Sequence, residues 1–392
     1  MKIMYSLPHP GDRLDSERAG HIVRANAILH ELENLGNEVV RIEAATEQKT
    51  RVAVTAYRRV FKKLLPSPIA LRLRDVGRIA HGRRYANRLI EAIRQHRPDL
   101  ILETHVASNL AGKLASETTG LPLVIDDIAP IWEEEQQYGV GLKKSARGIY
   151  RQVTDQAKLL IAVNETIKRH LQKEGLPEEK IAVVENGIDG HLFYPGVDGR
   201  ELRTRHGILG DEVVIVFVGS FQPYHRVDLL LHAFARVDTS KPIRLLLVGE
   251  GKYTPEARLV ADNLDVLDRT IFTGRVPYDR VAAYAAAGDI CIMPATNEYG
   301  NPMKVYEYMA LGKAVLAPDQ QTITDIATHN LNAYLFEREN VEAISKAMQR
   351  LVDDTALRYR LGRQAGKLAA EHTWQKRAER MIWSIEQAGI CA

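Results

Sequence analysis

The sequence predicts an α/β protein built from two doubly wound, Rossmann-like halves. Short runs of Ile, Leu and Val alternate along the chain with longer stretches of helical period, the pattern of parallel βαβ units. The alternation breaks in the Gly- and Pro-bearing segment Asn186–Gly196 and then begins again. At 392 residues the chain is long enough for two separate cores.

Taken in order, Ile3–Ser6 is an extended apolar run and His21–Leu35 a helix closing on Gly36, followed by a strand at Glu38–Ile42. A basic helical stretch fills Arg51–Arg97. Leu100–Glu103 reads as a buried strand, Ala107–Thr119 as a helix ending at Gly120, and Leu123–Ile125 as the next strand. A polar helical region leads to the strand Leu159–Val163, a helix through Lys173 and the strand Ile181–Val184. The second series has strands at Val213–Val218, Ile243–Val248, Thr270–Thr273, Asp289–Pro294 and Ala314–Ala317. Helices at Arg226–Arg236, Pro255–Asn263, Asp279–Ala287 and Met303–Gly312 separate them. An amphipathic helix near Trp374–Glu386 ends the chain. The expected domains are residues 1–195, joined by 372–392, and residues 196–371.

The segment Asp289–Ala317 is the richest in chemistry. A strand runs into a loop carrying Gly300 and Pro302, and a helix starts near Met303. Helix starts present unpaired N–H groups that favour anions, and in open α/β sheets ligands bind at such junctions. Lys304 adds a cation in the first turn, and Glu307 lies one turn on along the same face. A cation for phosphate beside a carboxylate for sugar hydroxyls suggests a nucleotide-sugar site.

This segment, with Glu307-Tyr308-Met309-Ala310-Leu311-Gly312-Lys313-Ala314-Val315, resembles the donor-binding segment of the glycogen synthase-like retaining glycosyltransferases, glycosyltransferase family 4. That family places a first Glu eight positions before the second. Here that position holds Tyr299, and Glu298 is one residue out of register. Asn186-Gly187-Ile188-Asp189 with Phe193 and Pro195 is similar to the family's interdomain motif, and Phe272-Thr273-Gly274-Arg275-Val276 to its base-contact loop. Gly219-Ser220-Phe221-Gln222-Pro223-Tyr224-His225-Arg226 is similar to its first phosphate loop, with Ser220 and His225 where the family has Arg and Lys.

The resemblance implies a GT-B fold, two Rossmann-like domains facing a central cleft, with the last helix crossing back to the N-terminal domain. It implies transfer from a nucleotide diphosphate sugar, taken as a UDP-sugar, with retained anomeric configuration and without a metal. Asp126 and Asp127 are adjacent, so a strand would point them to opposite faces, which does not suit a metal pair. Arg226, His225 and Lys304 are expected on the diphosphate, and Glu307 on the ribose. Gly300 and Asn301 are expected to offer N–H groups to the donor sugar, with Glu298 or Tyr299 at its outer hydroxyls. Gly219, Ser220, Glu250, Gly251, Pro302 and Met303 complete the expected donor contacts, and Arg275 and Val276 hold the base. On the acceptor side the candidates are Asp126, Asp127 and His105. Loop capping and structural roles are the alternatives for these three, and Gly20-His21 also opens toward this side.

Thirteen Lys or Arg face two acids between Arg51 and Arg97, although the whole chain carries only +3. Val54, Tyr57, Phe61, Leu64 and Leu65 share one helical face there, rimmed by Arg58, Arg59, Lys62 and Lys63. This suits peripheral docking on an anionic membrane, or equally a solvated basic rim. Nucleic acid is the poorer partner, because the segment has few aromatics and no recognition motif. Two cysteines, Cys291 and Cys391, offer no disulfide framework, and a cytoplasmic setting fits. The expected acceptor is a surface glycan, a lipid-linked precursor or a small natural product. A catalytically impaired nucleotide-sugar binder is the alternative from another class. A Rossmann oxidoreductase is disfavoured, since Gly249-Glu250-Gly251 lacks the third glycine of the dinucleotide fingerprint.

Overall fold

In the computed structural model, residues 1–16, 20–44, 67–137, 139–238 and 241–390 are described. The chain divides into one unit of Met1–Glu185 with Arg377–Ala392 and another of Asn186–Lys376.

The first unit holds strands β1 (Lys2–Leu7), β2 (Glu38–Glu43), β3 (Leu100–Thr104), β4 (Leu123–Asp127), β5 (Leu159–Ala162) and β6 (Ile181–Val183). They form one parallel sheet in the order β2-β1-β3-β4-β5-β6. Its helices are α1 (Gly20–Asn34), α2 (Ser67–His96), α3 (Ala111–Thr119), α4 (Ile131–Gln137), α5 (Lys143–Gln156) and α6 (Glu165–Lys173). Every residue of β3, β4 and β5 is buried, as a sheet covered on both faces requires. The expected apolar face from Val54 to Leu65 lies outside the described residues.

The second unit holds α7 (Arg200–Arg205), β7 (Val213–Val218), α8 (Val227–Phe234), β8 (Ile243–Val248), α9 (Thr254–Asn263), β9 (Thr270–Gly274) and α10 (Tyr278–Ala286). It continues with β10 (Ile290–Ile292), α11 (Met303–Ala310), β11 (Ala314–Asp319), α12 (Gln321–Thr324), β12 (Tyr334–Glu337), α13 (Val341–Asp353) and α14 (Thr355–Ala369). The sheet order is β12-β11-β10-β7-β8-β9, all parallel. The strand order reverses between β7 and β10, so the crevice outside their carboxyl ends is where such a sheet takes a ligand.

The final helix, α15 (Trp374–Gln387), buries Trp374, Ala378, Met381 and Ile385 along one stripe. Arg380 donates to the Val183 carbonyl at 2.7 Å, and Arg377 lies 3.4 Å from the Glu185 carboxylate. These contacts group residues from 377 onward with the first unit. The motif Asn186–Ile188 groups with the second unit, before the expected boundary at residue 195. The Asn186 side chain donates to the Asn301 carbonyl at 2.6 Å, and Ile188 N–H to the His372 carbonyl at 2.8 Å.

Candidate active site

The second unit builds its site where β7, β8 and β9 end. Gly219 N–H donates to the Val248 carbonyl and Gly249 N–H to the Gly274 carbonyl, each at 2.9 Å. Gly249 has φ 119°, and a Cβ there would stand 2.1 Å from the Gly219 carbonyl oxygen. Only glycine allows that conformation and that approach. A Cβ on Gly219 would meet the Lys304 Nζ at 2.9 Å, so this glycine forms the notch that the ammonium fills.

Lys304 and Glu307 sit on α11, which begins at Met303 after Pro302. Lys304 Nζ donates to His225 Nε2 at 2.8 Å and lies 5.3 Å from the Phe217 ring centroid. Burial brings its pKa down to about 8, opposed by Glu307. Among the described residues no carboxylate pairs with Lys304 within salt-bridge distance. Glu307 is 7% exposed and accepts one bond, from Tyr278 Oη at 3.3 Å. Burial raises its carboxyl to about 7, opposed by Lys304 and by the Tyr278 bond. A half-buried cation and a buried carboxylate one turn apart are thus left short of partners on a helix start, beside the glycine-bearing strand ends.

The other expected donor residues are placed as follows. His225 is buried, and burial together with Lys304 holds its pKa well below the ordinary value. It stands beside Lys304 as a neutral ring. Arg226 adopts left-handed φ 48° before α8 and turns its guanidinium onto Asp228, with Nη2–Oδ2 at 2.9 Å. In the free protein that guanidinium, expected on the diphosphate, is partly exposed and paired with Asp228. Glu298 is exposed and accepts from Arg338 at 3.1 Å, a surface pair in place of a sugar contact. Gly300 N–H is taken by the Asn297 side chain at 2.5 Å, so it is not offered outward as expected. Asn301 is used on both sides: its Oδ1 accepts from Asn186 N–H at 2.9 Å and its Nδ2 donates to Tyr306 Oη at 3.2 Å. The Ser220 carbonyl accepts from Gln222 N–H at 2.8 Å and from His225. Glu250 lies 3.4 Å from Arg275 Nε, which joins the β8 loop to the expected base loop. Gly251 packs against Phe221, where a Cβ would stand 2.8 Å from its backbone nitrogen. Val276 packs on the core, and Tyr299, Pro302 and Met303 are half-buried.

In the first unit, the adjacent aspartates do diverge. Asp126 accepts from Arg24 at 2.9 and 3.1 Å, and Arg24 also donates to the Val184 and Glu185 carbonyls at 3.0 and 3.1 Å. In the free protein Asp126, an acceptor-side candidate, is engaged in this clamp. Asp127 faces the other way and accepts from Tyr150 Oη, while its Oδ1 is buried without a hydrogen bond, 3.5 Å from His105 Nδ1. Burial raises the Asp127 carboxyl, opposed by His105 and the Tyr150 bond. The Tyr150 ring meets His105 edge-on at 4.9 Å. His21 contacts Asp12 at 2.7 Å, which His9 also meets at 3.0 Å. Neither Arg24 nor the buried Glu103 was expected. An Arg in the apolar stripe of Ile22, Ala25, Ile28 and Leu29 was the available signal.

Two family models tile the chain: "Glycosyltransferase Family 4" matches residues 20–192 and "Glycosyl transferases group 1" matches residues 198–368. The chain belongs to the family 4 glycosyltransferases. These are sugar-transferring enzymes, which sets the oxidoreductase alternative aside. Among curated relatives, the N-acetyl-alpha-D-glucosaminyl L-malate synthase of Bacillus anthracis is 25% identical over 248 residues, covering 63% of each chain. The D-inositol 3-phosphate glycosyltransferase of Streptomyces avermitilis is 28% identical over 315 residues, covering 75% of this chain and 67% of the relative. Among solved structures, Anabaena HepE in complex with UDP and glucose superposes with a TM-score of 0.74 at 17% identity, over 98% of this chain and 99% of that one. The sucrose-phosphate synthase of Thermosynechococcus elongatus superposes with a TM-score of 0.77 at 16% identity, over 98% of both. At these identities the structures establish the GT-B fold of this glycosyltransferase. No helix among the described residues is long and apolar enough to cross a membrane.

Proposed function

We propose that this glycosyltransferase moves a sugar from a nucleotide diphosphate sugar, taken as a UDP-sugar, to an acceptor hydroxyl with retention of anomeric configuration. The Lys304 ammonium, lacking an anionic partner in the first turn of α11 beside the bare ends of β7 and β8, carries this reading. As the glycosidic bond to the leaving phosphate breaks, negative charge builds on the diphosphate, and a preorganised cation with backbone N–H groups stabilises it. No metal is needed in this scheme. Glu307 would accept from the ribose hydroxyls, with Arg275 and Val276 at the base and Tyr299, Pro302 and Met303 beside the sugar. Asp127 and His105, whose Nδ1 meets the Ala129 carbonyl at 3.3 Å, would orient the acceptor hydroxyl.

The acceptor is read as a surface glycan or its lipid-linked precursor. In the first half of α2, Ile69, Leu73 and Val76 are exposed on one face with Arg72, Arg83 and Arg84 exposed along the helix. Apolar residues amid arginines suit peripheral contact with an anionic membrane. The relatives named for L-malate and inositol 3-phosphate favour a second reading, a small soluble acceptor.

A thermal-shift screen against UDP, GDP, ADP, dTDP, NAD and a panel of UDP-sugars tests the donor. Stabilisation by UDP and one UDP-sugar names the donor, while indifference to every nucleoside diphosphate overturns the reading. Anomeric proton couplings of the product then decide retention. Flotation with phosphatidylglycerol vesicles decides membrane contact.

A further inference from the structure

The His225 ring is oriented by what lies on each side of it. Its Nδ1 meets the Ser220 carbonyl, which can only accept, so Nδ1 carries the proton. Nε2 then holds a lone pair, and it faces the Lys304 ammonium at 2.8 Å. Protonating Nε2 would set two cationic donors against each other in a buried place, which the ring's position against Phe217 at 5.5 Å gives it little room to escape. The loop is shaped for this. Pro223–His225 forms a 3₁₀ turn, the His225 N–H donates to the Gln222 carbonyl at 3.0 Å, and Arg226 leaves in a left-handed conformation with its charge spent on Asp228.

We propose that His225 is a positioning residue: as a neutral, Nδ1-protonated ring it accepts one N–H of Lys304 and fixes that ammonium in the Gly219 notch, so that Lys304 is the cation that meets the donor diphosphate. This rests on the donor-site reading above and goes further, because it gives the site its charge and its pH behaviour. An ammonium has three donors; one is spent on His225, leaving two for phosphate oxygens. The titratable groups that face this place are Lys304, Glu307 and Tyr308 of α11, His225 and Tyr224 on the β7 loop, and Tyr278, which bonds Glu307. With Lys304 brought down to about 8 in the free protein, diphosphate binding takes up a proton above that pH and weakens accordingly.

The test measures UDP binding by calorimetry and transfer kinetics from pH 6 to 10 for wild type, His225→Gln, His225→Ala, His225→Lys and Lys304→Ala. The expected wild-type UDP affinity rises as Glu307 ionises near pH 7 and falls toward tenfold per unit above about pH 8. His225→Ala is expected to lose about tenfold or more in affinity, and His225→Gln, whose amide oxygen can accept from Lys304, to recover most of it. His225→Lys, which adds a second cation but no acceptor, is expected to fall below His225→Gln. The ¹⁵N shifts of His225 in labelled protein should report the neutral Nδ1–H form at pH 6.5. An imidazolium there, or a His225→Lys variant matching wild type while His225→Gln does not, would make His225 a direct phosphate cation and overturn the proposal. Unchanged UDP binding in His225→Ala with loss in Lys304→Ala would sink this inference alone. Unchanged binding in both would sink the donor-site reading as well.

Discussion

The two sheets end in opposite chemical states. In the first unit, Arg24 is saturated by Asp126 and two carbonyls, and Glu103 is held by Ser6 Oγ at 2.7 Å and Asn109 Nδ2 at 2.8 Å. In the second unit, Lys304 has a neutral ring and Glu307 one long bond. Burying charge is expensive unless it is paired. The Arg24–Asp126 clamp has met that cost within the protein, whereas in the same sheet Asp127 keeps one buried oxygen without a hydrogen bond. The second unit leaves the charges short of partners, which makes sense where a ligand supplies the missing ones. Burial alone therefore does not mark a functional residue; a shortfall of partners does.

The largest effect expected from this contrast is on stability, in the first unit. Arg24→Ala leaves Asp126 buried and unpaired and should cost about 3–5 kcal/mol in denaturant unfolding. A double Arg24→Met, Asp126→Leu variant should recover much of it. Lys304→Ala should do the reverse, lowering kcat/KM for the donor about 10²–10³-fold while leaving the thermal midpoint unchanged or higher. Were Lys304→Ala to unfold the protein and Arg24→Ala to abolish transfer without unfolding, the contrast would be inverted.

The pH profile sharpens it next. Donor kcat/KM should rise as Glu307 ionises near pH 7 and fall as Lys304 discharges near 8, the two titrating as a coupled pair. Glu307→Gln should erase the acid limb at a cost of about 10-fold in affinity. Glu103 affects stability instead. Burial raises its carboxyl to about 7 from 4.5, so the folded state holds the proton more tightly. Its stabilising contribution is full below pH 4.5 and lost as pH rises through 7, on the order of 2–3 kcal/mol. Glu103→Gln should flatten that slope in urea unfolding while leaving donor KM unchanged. The smallest effect is expected from Glu298→Ala, whose carboxylate is spent on an exposed pair with Arg338; donor kcat/KM should stay within about threefold.

Most strands were legible because a parallel sheet buries both faces and writes itself as apolar runs. Val213–Val218 and Ile243–Val248 coincide with β7 and β8. The edge strand β12, four residues long with one exposed end, left no comparable run. At the site, Lys304 and Glu307 were legible because one helix sets their spacing. The left-handed φ of 48° at Arg226 and its pair with Asp228 were not legible, because residue type alone does not announce a positive φ outside glycine. The side-chain bonds of Asn301 were not legible, because its partner Asn186 is 115 residues away. The charge of His225 was not legible, because the carbonyl and ammonium on either side of it determine it.

The press of backbone against backbone at the β7 and β8 loops has a consequence for how such an enzyme can be retargeted. Side chains at Gly219, Gly249 or Gly251 would collide with Lys304, with the Gly219 carbonyl or with Phe221, at 2.9, 2.1 and 2.8 Å. Those positions are closed to substitution, so variation there is lost before it can be selected. Donor preference is left to drift through the side chains of Tyr299, Pro302 and Met303 and the Arg275–Val276 loop, where half-buried or exposed groups tolerate exchange. A library confined to those positions would sample new sugars and bases while leaving the anion-handling floor of the site intact.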